Sequence, residues 1–181
     1  YLLGDDTGMR PGRVTLNPIR HWDPMGTIGI LTVGIGWGKP APVNPLRGRK
    51  VSARAFMAIT AAAGPISNIL LSYIFMLIGK LIWFLFGASN PEVVIYVYYA
   101  FIMAARINIS LAVFNLIPIP PFDGSRILLV FLKERTYFKL MQYEQYIMIG
   151  VLLICWTGIL DVPLTFLNKA VMSFLDFTTS F

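Results

Sequence analysis

Cysteine and histidine are almost missing from this 181-residue chain; each occurs once, as Cys155 and His21. A single cysteine excludes an internal disulfide and any cysteine-based metal cluster. Charge is also sparse, at 13% of residues, with 15 Lys and Arg against 9 Asp and Glu. A net charge of +6 raises nucleic acid as a partner. The basic residues, however, stand beside apolar segments and not on a polar face with interleaved aromatics, which argues against that class. No internal repeat or low-complexity tract is present. What the chain has in excess is apolar side chains, 56% of the total, where soluble domains carry about 45–50%. They fall in runs, and the chain reads as an all-α polytopic membrane protein. Tyr1 is not preceded by a methionine, and nothing at this end resembles a signal peptide, so the chain is expected to be a piece of a longer one.

The organisation follows from the punctuation. Residues 1–26 are polar and turn-rich, and Arg13-Val-Thr-Leu16 alternates like a short strand. Residues 27–38 are apolar but glycine-laden and shorter than the ~20 residues a spanning helix needs, which predicts a re-entrant or half-spanning segment. Residues 39–54 form a basic, proline-rich loop with Arg47, Arg49, Lys50 and Arg54. Membrane helices are expected over 55–86, 92–116 and 145–160, about three spans, with Lys80 able to snorkel from the first. The tail, 164–181, has Phe166, Leu167, Val171, Phe174 and Leu175 at roughly helical spacing and is expected to lie in the interface. The basic clusters at 47–54 and 126–139 flank a hairpin whose turn, 87–91, carries no basic residue. The positive-inside rule therefore places both clusters in the cytoplasm and Asp123 near that side.

Asn115-Leu-Ile-Pro-Ile-Pro-Pro-Phe-Asp-Gly124 is the segment with chemistry in it. Pro118, Pro120 and Pro121 remove donors and clash with the preceding turn, so a continuous helix stops there. A helix broken at membrane depth must satisfy its freed backbone groups against protein or a watery cavity. A carboxylate at such a break costs energy unless it serves an ion, a proton or a metal. Position alone leaves Asp123 open to two readings, a helix cap at the membrane surface or a working carboxylate. Asn115 reads either as an interhelical hydrogen-bonding residue or as a partner of Asp123 in one site. Arg106 falls mid-helix with no evident counter-charge. Asp5 and Asp6 read as solvated turn residues, His21 as a hydrogen-bonded loop residue beside Trp22, and Asn68 as a structural polar contact near a helix start.

Asn115-x-x-Pro118-x-Pro120-x-x-Asp123-Gly124 resembles the late motif of the site-2 protease family of intramembrane zinc metalloproteases. Ala63-Gly-Pro-Ile-Ser-Asn68 resembles that family's Gly-Pro-x-x-Asn segment. Leu16-Asn-Pro-Ile-Arg-His-Trp-Asp-Pro24 and Gly36-Trp-Gly-Lys-Pro-Ala-Pro-Val-Asn-Pro45 resemble segments of one of its bacterial branches. The four matches run in order over about residues 1–130. The resemblance implies zinc, with Asp123 as its third protein ligand and Asn115 steadying the substrate carbonyl or the oxyanion. It implies hydrolysis of peptide bonds in a transmembrane protein substrate, such as a membrane-anchored regulatory protein, within the lipid bilayer of a bacterial cell membrane. The family's H-E-x-x-H, whose histidines bind zinc and whose glutamate activates water, has no counterpart in this sequence. Tyr1-Leu-Leu-Gly-Asp5 resembles the stretch that follows it. An upstream metal-binding helix is therefore expected, and residues 1–181 alone are expected to be inactive. Two other readings fit the same residues: a transporter or channel subunit with Asp123 and Arg106 on an ion path, and a non-catalytic relative that binds membrane helices.

Overall fold

The computed structural model describes Thr15, residues 17–20, 22–33, Gly38, Asn44, 51–128 and 130–180. Every element among them is helical. The expected strand at 13–16 lies outside the described residues apart from Thr15, and so do His21, Asp5, Asp6 and most of the 39–54 loop. The chain divides into two units, Tyr1–Phe56 and Met57–Phe181.

In the first unit a single 3-10 turn, Pro18–Arg20, precedes helix α1, Pro24–Val33. Asp23 caps the start of α1 through its main chain: its carbonyl accepts from the Thr27 amide and from the Thr27 hydroxyl, each at 3.0 Å. The Trp22 indole N–H in turn donates to Thr27 Oγ1. Ten residues of helix reach about 15 Å, half of a ~30 Å hydrocarbon core.

Helix α2, Ala53–Phe86, starts at a serine cap: the Ala55 amide donates to Ser52 Oγ at 3.3 Å and the Phe56 amide to Ser52 O at 2.8 Å. It is 34 residues long, about 50 Å at ~1.5 Å per residue, so it must tilt or protrude from a ~30 Å core. It ends where Gly87 presses onto Trp83; a Cβ at Gly87 would lie 2.5 Å from the Trp83 carbonyl oxygen. The chain reverses over Gly87–Asn90, and α3, Pro91–Asn115, opens with proline at its first position and Glu92 in its first turn, both favourable there.

Small residues let α2 and α3 approach closely. A Cβ on Gly79 would meet Phe101 Cβ at 3.0 Å, and the buried Ser72 hydroxyl lies 3.0 Å from the Ala105 carbonyl of α3 and 2.8 Å from the Asn68 carbonyl of its own helix. Ser72→Ala should therefore weaken the hairpin, by about 0.5–1 kcal/mol, read as a shift in the detergent unfolding midpoint. Phe75–Phe101 and Trp83–Tyr98 ring pairs continue the seam at 6.2 and 6.0 Å.

After α3 come α4, Asp123–Leu128, α5, Glu134–Gln142, α6, Glu144–Trp156, and α7, Asp161–Thr178. The core of this unit is Met76 of α2, Ala105, Ile109 and Val113 of α3, and Leu175 of α7. Leu164, Val171 and Met172 of α7 pack around them. Of the apolar residues named in the 164–181 stretch, Val171 and Leu175 reach this core, while Phe166, Leu167 and Phe174 are exposed. Lys80, expected to snorkel, instead pairs with Asp176 at 2.7 Å and donates to the Asp176 carbonyl at 3.1 Å, which fixes the C-terminal end of α7 near the α2–α3 hairpin turn. Between α6 and α7 the chain bends by 84°, through Gly158 at φ +74°, a backbone state glycine adopts without a Cβ clash.

Among the described residues two helices, α2 and α3, are long and apolar enough to cross a membrane, and the bent pair α6–α7 makes a third crossing if it acts as one broken span and not as a re-entrant loop. Ile66, Leu70, Ile74, Leu81 and Phe84 of α2 and Tyr96, Met103, Ile107 and Leu111 of α3 are exposed. So much outward apolar surface is what a bilayer solvates and water does not.

Candidate metal and catalytic site

The site is built on the end of α3. The last helical amides close normally, Leu116 onto the Ala112 carbonyl at 3.0 Å and Ile117 onto Phe114 at 3.2 Å. Pro118 then ends the ladder because it has no N–H. The chain loops back through a cis Pro120–Pro121 bond, with Pro120 fully buried. The Phe122 ring meets Phe114 edge-on at 4.5 Å, and the buried Ser125 hydroxyl donates to the Phe122 carbonyl at 2.7 Å. These contacts fold the loop onto the helix it left.

Gly124 is what allows the return. A Cβ there would overlap the carbonyl oxygens of Leu116 and Ile117, so no other residue fits without moving backbone. Asp123, the first residue of α4, is thereby held beside the end of α3, and Asn115, the last residue of α3, stands on the other flank of the same closed loop. Both side chains are half-buried. Among the described residues nothing donates a hydrogen bond to the Asp123 carboxylate, and the Asn115 side-chain amide has no partner either.

The second motif arrives from α2. A Cβ on Gly64 would lie 3.4 Å from Asp123 Oδ2, so the Gly64-Pro65 step faces the carboxylate. Pro65 is fully buried inside the helix, where it deprives α2 of one backbone bond. Asn68, four residues beyond Gly64, stands on the same helix face. Gly64 lies within the Ala63–Asn68 motif, but the sequence alone assigns it no role. The available signal was a Gly–Pro pair inside a helix, where neither residue is favoured without a local reason.

Burial pushes the Asp123 carboxyl above its ordinary range, and the Arg126 guanidinium pulls it partway back. Arg106 is exposed on α3, about 14 Å along the helix from Asn115 at ~1.5 Å per residue. The cation acting on Asp123 is Arg126 and not Arg106.

A zinc ion asks for deprotonated oxygen, nitrogen or sulfur donors and, in hydrolytic sites, three protein ligands with one open position. The Asp123 carboxylate fits one of those places: it is half-buried, has no hydrogen-bond donor among the described residues, and faces a glycine that leaves room at its oxygen. The described residues hold no group of three or more His, Cys, Asp or Glu able to hold a metal, so Asp123 stands there as a lone candidate ligand and not as part of a set.

The sequence profile of peptidase family M50 matches residues 47–157, a span holding α2, α3, the loop and α4. A Bacillus subtilis (strain 168) protein named "Putative zinc metalloprotease YwhC" is 38% identical over 150 residues, which is 81% of this chain and 66% of that protein. "Putative zinc metalloprotease Rip2" of Mycolicibacterium smegmatis (strain ATCC 700084 / mc(2)155) is 28% identical over 159 residues, 85% of this chain and 58% of that protein. A Methanocaldococcus jannaschii protein, "Putative zinc metalloprotease MJ0611", is 37% identical over 68 residues, 38% of this chain and 31% of its own. The chain thus spans less than two thirds of the length of these relatives. No solved structure matches it. With a family profile over more than half its length, centred on the α2–α3 hairpin and the Asp123 loop, this integral membrane chain belongs to peptidase family M50, the site-2 protease family.

Proposed function

We propose that the complete protein is an intramembrane zinc endopeptidase that hydrolyses peptide bonds of membrane-embedded proteins, such as membrane-anchored regulators. The observation that supports this most is the Asp123 carboxylate, half-buried at a helix break, seated against Gly64 and without a hydrogen-bond donor among the described residues. A half-buried carboxylate that accepts no hydrogen bond is unfavourable, and a metal cation beside it removes that cost.

In this reading Asp123 is one zinc ligand. The other two come from an H-E-x-x-H helix, a motif absent from these 181 residues, so residues 1–181 alone are inactive. Zinc, when bound, supplies Lewis-acid activation of water and of the scissile carbonyl. Asn115 is a neutral donor fixed at a helix end, and its amide N–H is free to stabilise charge developing on the carbonyl oxygen. The proline break serves the substrate as well. A transmembrane helix hides its peptide bonds in its own hydrogen-bond ladder, so it must unwind locally where it meets Asn115 and Asp123.

Asn115→Ala in the full-length protein tests the role of the amide. Zinc content should stay at the wild-type level while kcat against a membrane substrate in proteoliposomes falls by about 10²–10³. Unchanged turnover would refute the oxyanion role, and lost zinc would move Asn115 into the metal-binding set.

A further inference from the structure

We propose that the groove between α5 and α6 holds the phosphate headgroup of an anionic phospholipid from the protein's own membrane. Arg135, Thr136, Lys139, Leu140, Tyr143 and Ile147 line a groove of about 330 Å³. Arg135 and Lys139 are four residues apart on α5, hence on one face, where two like charges repel each other. Both are exposed, and among the described side chains, which do not include that of Glu134, neither has an ion-pair partner. An anion between them turns that repulsion into attraction. Thr136 and Tyr143 of the same lining carry hydroxyls, although most of the groove wall is apolar. The rest of the lining is apolar: Leu140 and Ile147, both half-buried, and the body of the Tyr143 ring. A free phosphate would leave that part uncovered, whereas a phospholipid lays its acyl chain there and its phosphate on the cations.

The surroundings carry the same charge. Across residues 126–144, Arg126, Lys133, Arg135 and Lys139 stand against Glu134 and Glu144, four basic against two acidic. Basic pockets between helices at the cytoplasmic end of membrane proteins take acidic headgroups on these terms. The groove also follows directly on α4 in the chain, so a seated lipid would anchor the segment that leads away from Asp123. The inference rests on the membrane location and does not depend on the metal site.

The test uses the full-length protein in detergent, titrated with phosphatidylglycerol and, separately, phosphatidylcholine, with bound lipid counted by native mass spectrometry. Arg135→Gln and Lys139→Gln should each weaken phosphatidylglycerol binding about fivefold, and the double variant about 25-fold. Phosphatidylcholine binding should not change. Arg135→Lys should keep most of the affinity, and Lys169→Gln, at an exposed position of α7, should keep all of it. Wild-type retention by the double variant would overturn the proposal. So would an equal loss in Lys169→Gln, which would mean a diffuse charge effect, or displacement of phosphatidylglycerol by millimolar inorganic phosphate but not by sodium chloride of equal ionic strength, which would mean a free-phosphate site.

Discussion

Replacing Asp123 with alanine in the full-length protein should strip it of zinc and abolish cleavage of a membrane substrate, lowering activity by more than about 100-fold. Altering only an outer-shell partner of a metal site already costs about 10–100-fold in affinity or activity, and a lost ligand removes a bond outright. The informative part of the experiment is stability. Burial already disfavours the charged form of this carboxyl, and no hydrogen bond to its oxygens among the described residues would be broken. Removing it therefore takes away an unfavourable group, so the metal-free fold should unfold at the wild-type temperature or slightly above. If Asp123 served only as a cap for α4, zinc content and turnover would persist and stability would fall by about 0.5–2 kcal/mol. Metal analysis and thermal unfolding in detergent, run on the same sample, separate the two roles. Intact zinc with intact proteolysis would remove Asp123 from the metal site altogether.

The all-helical, membrane-crossing character was legible in the apolar runs, because a stretch such as Ala53–Phe86 can be nothing else at that length and composition. Which helices touch was not legible. Within the bilayer every helix is apolar all round, so periodicity no longer marks a buried face; small residues and single polar groups do so instead. Gly79 and Ser72 are such marks on α2, and they became readable only once Phe101 and Ala105 were seen opposite them. The Lys80–Asp176 pair is the same case, since neither residue names its partner across so many positions of sequence. At the site, three prolines announced that α3 must stop, a local steric fact. That the Gly64-Pro65 step of α2 would lie against Asp123 is a long-range fact, and composition and spacing carry no trace of it. The family resemblance marks both motifs without implying that they touch.

Gly124→Ala should be as damaging as the loss of Asp123 itself, although it removes no chemical group. The new methyl would overlap the carbonyl oxygens of Leu116 and Ile117. Those atoms are main chain, fixed by the Phe114–Phe122 ring contact and the Ser125–Phe122 hydrogen bond, so no side chain can rotate aside to admit it. Either α4 shifts away from the end of α3 or the loop re-forms. Overpacking of this kind costs about 1–3 kcal/mol, and a displacement of about 1 Å between reacting groups costs about 100-fold in rate. Activity should therefore fall by at least that factor while the unfolding temperature drops. Gly150→Ala is the matched control. Nothing lies within 4 Å of a Cβ at Gly150 on α6, and alanine is the better helix former by about 1 kcal/mol, so this variant should be neutral or slightly more stable with full activity. If Gly124→Ala behaves like Gly150→Ala, the close return of the loop onto α3 is wrong, and with it the reason for placing Asn115 and Asp123 in one site.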